Sequence, residues 1–87
     1  MHERSLAEDL VRAAGMTAMD EGGAVQAVHV RVGSLSCIDP EVLHDQVVWR
    51  SRGTIIEGAD ICIEVISAEL GDRHGAEVRL VSVDVGV

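Results

Sequence analysis

Residues 28–43 read VHVRVGSLSCIDPEVL, and the two halves of this stretch specify two different elements end to end. Val28, Val30 and Val32 alternate with His29 and Arg31, the period-two pattern of a strand with one face buried. Gly33 closes that run. Beyond it, Asp39-Pro40-Glu41 has the order of a helix start. A carboxylate can accept the free amides of the first turn, a ring pre-sets φ for the first helical position, and an anion complements the positive end of the helix dipole. Leu43 and Val47 are expected to form that helix's buried face, with Trp49 a further candidate.

Upstream, Ser5 followed by Glu8 has the S-x-x-E form of a capping box, so a helix is expected to begin at Ser5. Leu6, Leu10, Val11, Ala14 and Ala18 recur at three- and four-residue steps and give one apolar stripe. Gly15 within it costs about 1 kcal/mol against Ala. Gly22-Gly23 ends the helix. Downstream, SRGT (51–54) and EGAD (57–60) mark a turn region. DICIEVIS (60–67) reads as a second strand, with Ile61, Ile63 and Val65 on one face. ELGDRHG (69–75) is a polar turn, and AEVRLVSVDV (76–85) a third strand. The order α-β-α-β-β implies an α/β chain of the α+β type. Two helices pack on one face of a small three-stranded, mainly antiparallel sheet. The last two strands, joined by a short turn, are expected to pair as a hairpin.

The 87 residues make a single domain, 1–87, with no room for a second core. Hydrophobic residues are 47% and charged residues 25% of the chain, too apolar for disorder. Trp49 is the one aromatic residue, so the core must be aliphatic and stacking on nucleic-acid bases is excluded. A net charge of −8 argues against nucleic acid and against an anionic membrane as partners. No apolar run approaches the roughly 20 residues that span a bilayer, and charges flank Leu6, which does not support a signal peptide. Cys37 and Cys62 stand far apart with no CxxC, so neither a disulfide framework nor a zinc knuckle is indicated. The expected compartment is the reducing cytoplasm.

The chain begins MHE. The amine of Met1, the deprotonated amide nitrogen of His2 and the His2 imidazole can chelate a divalent ion in low-strain rings, and an adjoining amide completes a planar nitrogen set. That geometry favours nickel(II) or copper(II) over zinc.

The same MHE, together with SLAEDL, VHVRVGSLSCIDPEVL, RGTIIEGADICIEV and the closing AEVRLVSVDV, resembles the nickel-binding domain of the HypA/HybF family of hydrogenase nickel incorporation proteins. These stretches cover most of the chain in the family's order. The resemblance implies a nickel-binding metallochaperone for nickel–iron hydrogenase maturation that delivers the ion to the large subunit. Met1, His2 and Glu3 would be its nickel ligands, and Glu3 would contribute its backbone nitrogen rather than its carboxylate. The implied partners are a HypB-type GTPase and the hydrogenase large-subunit precursor. The implied cofactor is nickel(II), carried as cargo. One departure is large: the family's zinc ribbon, with paired CxxC motifs, is replaced by a short turn around 68–76 without cysteine. No zinc is therefore expected. A natural compact paralogue and a chain with its ribbon excised both fit this.

The remaining candidates are weaker. His74, in the turn that replaces the ribbon, is a candidate extra ligand. His29 is expected on the solvated strand face and His44 on the surface. Asp39 reads as a helix cap whose carboxylate could also serve a metal, and Cys37 as a small buried residue. Cys62 falls on the strand face opposite Ile61 and Ile63. No nucleophile–base pair or phosphate loop stands out, so an enzyme is not indicated. The edges of a three-stranded sheet invite pairing into a homodimer. The alternative function is a non-metal-binding interaction or scaffold paralogue that lost metal traffic with the ribbon.

Overall fold

The structure is a computed structural model that describes residues 3–69 and 75–86. Five elements follow in chain order: α1 (Glu3–Glu21), β1 (Ala24–Gly33), α2 (Pro40–Ser51), β2 (Asp60–Ile66) and β3 (Val78–Gly86). Both helices lie on one face of the three-stranded sheet.

The first helix begins earlier than its sequence suggested. Glu3 is already helical, so Ser5 sits inside the first turn and cannot act as the cap of a capping box. Its buried stripe is Ala7, Leu10, Ala14 and Ala18, small side chains that let the helix approach the sheet closely. At the far end Gly22 adopts φ +73, the left-handed conformation that ends a helix, and its N–H still bonds the Ala18 carbonyl at 3.0 Å.

The sheet order is β2-β1-β3, with β1 in the centre. It pairs in parallel with β2, from Ala27 opposite Asp60 to Gly33 opposite Ile66. On its other side it pairs antiparallel with β3, from Ala24 opposite Gly86 to Val32 opposite Val78. The expected hairpin between the last two strands therefore does not form. The reason lies in α2, which carries the chain back along β1 and so returns β2 parallel to it. The edge of β1 then left open is the opposite one, and β3 fills it. Each pairing sense occurs once, giving a mixed sheet.

The described residues on either side of the link from β2 to β3 are bonded to the end of β1 and the residues just after it. Ser34 donates its N–H to the Ile66 carbonyl at 2.9 Å, Gly33 to Glu77 at 2.8 Å and Leu35 to Gly75 at 2.9 Å. The Ser34 hydroxyl oxygen accepts from Ala68 N–H at 2.9 Å. Of the expected short turn, residues 70–74 lie outside the described residues.

Val28, Val30 and Val32 are each 1% exposed and meet Leu10, Leu43, Val47 and Ile56 in one cluster. On α2 the buried positions are Leu43, Val47 and Ser51, spaced by four. Trp49 falls between those steps, on the outer side, and is 61% exposed beneath the Arg52 guanidinium, 4.6 Å from the ring centroid. The sequence offered it as a further candidate for the buried face, but its helical phase places it outside. Cys37 also differs from expectation: it is exposed and turns the chain at φ +59, while its neighbour Ile38 enters the core at 8% exposure.

Candidate metal site at the N-terminus

Two helix starts meet at one end of the molecule. Asp39 caps α2 as its sequence indicated, with its Oδ1 accepting the N–H groups of Glu41 at 2.9 Å and Val42 at 3.3 Å. The backbone N–H of Asp39 in turn donates to Glu3 Oε2 at 3.1 Å, across 36 positions of sequence. The first residue of α1 is thus tied to the cap of α2. Farther along, Glu8 Oε1 pairs with Arg50 at 2.9 Å, and Gly15 faces the side chain of Ile55. These three contacts set the helices side by side and running in the same sense.

This arrangement places Glu3 beside the cap of α2. Met1 and His2 lie outside the described residues, and Glu3 is the member of the expected triplet that the structure places. Its carboxylate is engaged with the Asp39 amide, a structural use that local periodicity could not reveal. His74 also lies outside the described residues, but its chain neighbour Gly75 is bonded to Leu35, in the loop that leads from β1 to Asp39.

The other candidates stand apart. His29 is on the open face of the sheet with its Nε2 2.8 Å from Asp84 Oδ2. His44 is half-buried on α2, its Nδ1 3.2 Å from Asp45 Oδ1. Cys62 is exposed on that open face and, like Cys37, is a free thiol. Among the described residues, no group of three or more His, Cys, Asp or Glu side chains could hold a metal ion. No helix among the described residues is long and apolar enough to cross a membrane.

The HypA family, described as hydrogenase/urease nickel incorporation, metallochaperone, matches residues 1–82, and the chain belongs to it. The Hydrogenase maturation factor HypA of Methanothermobacter thermautotrophicus is 35% identical over 79 residues, 88% of this chain and 64% of that protein. The protein of the same name from Archaeoglobus fulgidus is 41% identical over 71 residues, 80% of this chain and 64% of the relative. The chain thus spans a little under two thirds of the length of these relatives. In fold, it matches the solution structure of the Ni metallochaperone HypA from Helicobacter pylori with a TM-score of 0.75 at 16% identity, covering 98% of this chain and 97% of the other.

Proposed function

We propose that this chain is a cytoplasmic nickel(II) carrier for nickel–iron hydrogenase maturation, a metallochaperone rather than an enzyme. Met1 binds the ion through its amine, His2 through its amide nitrogen and imidazole, and Glu3 through its backbone nitrogen. His74 is a fourth, weaker candidate. The observation that carries this reading is the bond from Asp39 N–H to Glu3 Oε2, which ties the residue directly after His2 to the cap of α2. Family membership over residues 1–82 supports the same conclusion. The bond from Leu35 N–H to Gly75 brings the neighbour of His74 to the loop that precedes Asp39.

The cargo passes to the hydrogenase large-subunit precursor, with a HypB-type GTPase as partner in delivery. A terminal site with few supporting groups suits a carrier, which must release its ion. Residues 1–87 form a single nickel-binding domain in which zinc has no part, since two separated cysteines cannot supply a four-ligand structural site.

The chelate requires a free amine at the correct spacing, which gives a test. Nickel binding is measured for the native N-terminus and for a chain extended by one glycine before Met1. Loss of binding on extension supports the terminal clamp. Equal binding in both chains overturns it and favours an interaction module without metal traffic.

A further inference from the structure

The two edge strands of the sheet are protected to different degrees. β3 carries a bulge at Val81, an extra residue between the partners of His29 and Val30, and bulges spoil an edge for further pairing. β2 is paired without interruption from Asp60 to Ile66 and contains no Pro, Gly, Lys or Arg. The carbonyl of Ile66 accepts from Ser34, so Ile66 directs its peptide groups toward β1, and alternation gives the same direction to Asp60, Cys62 and Glu64. The N–H and C=O groups of Ile61, Ile63 and Val65 therefore point to the free edge, where nothing pairs with them among the described residues. The side chains of these three residues lie on the helix side, in register with Val28, Val30 and Val32, and Val65 remains 48% exposed.

We infer that this edge pairs with β2 of a second copy of the chain, antiparallel about a two-fold axis through Ile63. The charges select that register. Antiparallel pairing requires outward groups to face outward groups, so the symmetric registers that join five residues or more centre on Cys62, Ile63 or Glu64. Centring on Cys62 sets Asp60 opposite Glu64 of the other copy. Centring on Glu64 sets two glutamates face to face. Both place like charges in the closely spaced, non-hydrogen-bonded pairs, where repulsion is greatest. Centring on Ile63 sets Glu64 opposite Cys62 and Asp60 opposite Ile66, with no like charges in register. On the helix side it sets Ile63 against Ile63 and Val65 against Ile61, so the exposed Val65 gains an apolar neighbour. The interface is isologous and joins the two sheets into one. It also closes the open cleft between α2 and β2, which Glu41, His44 and Asp45 line together with Ile61 and Ile63. This goes beyond nickel carriage and does not depend on it.

The test combines sedimentation, amide exchange and cross-linking on the full chain. The wild type is expected to sediment as a dimer with slowly exchanging Ile61, Ile63 and Val65 amides. Val65→Lys, at an exposed position, is expected to sediment as a monomer with an unchanged circular dichroism spectrum. In a Cys37→Ser background, Glu64→Cys is expected to give covalent dimers under mild oxidation, mapped to a bond between position 64 and Cys62 of the other copy. The inference is overturned by a monomeric wild type, by a dimer that survives Val65→Lys, or by cross-links that map elsewhere. Protection of the three amides only on adding a basic extended peptide also overturns it, in favour of a foreign strand.

Discussion

Glu3 Oε2 lies 3.1 Å from the backbone nitrogen of Asp39, and that contact joins the first turn of α1 to the cap of α2. The same Asp39 serves its own helix through two amides and so links both helix starts to one loop. The contact matters because the residue before Glu3 is the histidine whose imidazole would grip the ion.

Replacing Glu3 by Ala removes this tether while leaving every backbone ligand of the proposed clamp available. A net hydrogen bond of this kind contributes about 1 kcal/mol, so nickel affinity is expected to fall several-fold rather than vanish. Calorimetric titration of Glu3→Ala beside the wild type reads this directly. Complete loss would show that the carboxylate itself is a ligand.

Asp39→Ala deletes the cap of α2. Losing such a cap costs about 1 kcal/mol, which for a domain of this size lowers Tm by roughly 4–8 °C. Thermal unfolding followed by circular dichroism measures the shift. An unchanged Tm would mean that Pro40 and Glu41 suffice to start the helix.

The two glycines after α1 are expected to respond differently to Ala. Gly22 has positive φ but open space around it, so its substitution costs about 1 kcal/mol. A Cβ at Gly23 would run into the Val85 side chain and stand 2.6 Å from the Gly86 carbonyl oxygen. Because backbone cannot retreat as a side chain can, Gly23→Ala is expected to cost more, roughly 1–3 kcal/mol. Urea unfolding of both variants ranks them.

Leu43 and Trp49 provide the matching contrast on α2. Leu43 is fully buried and its truncation to Ala is expected to cost about 3 kcal/mol. Trp49 lies outside the core, so Trp49→Ala should remain within about 0.5 kcal/mol of the wild type. Denaturant midpoints separate the two cases.

The features legible in the sequence are those encoded by near neighbours. The valine alternation of β1 and the Asp39-Pro40 start of α2 are short-range signals, and both stand where they were expected. Strand order is not a short-range property. A short link between β2 and β3 suggests a hairpin, yet the pairing is decided by which edge of β1 is vacant once α2 has returned the chain. Trp49 shows the same limit in miniature, since its hydrophobicity pointed inward and its phase on the helix points outward. At the site, the MHE triplet is readable as chemistry, whereas the tether from Glu3 to Asp39 joins residues with no sequence proximity at all.

Nickel binding should also respond to acid with a definite sign. In the proposed clamp the amine, the amide nitrogen and the imidazole would all bind in their deprotonated forms, so protons would compete with the ion and affinity is expected to fall as pH is lowered. Titrations at descending pH are expected to show progressive weakening. Binding that is insensitive to pH would point to carboxylate ligands instead.

The most direct measurement is nickel(II) titration of the native-terminus chain beside His2→Ala, read by calorimetry and by visible absorption. The expected result is one ion per chain with the absorption band of planar nickel, and loss of both signals in His2→Ala. Equal binding by the two proteins, or binding without the planar band, would contradict the terminal clamp.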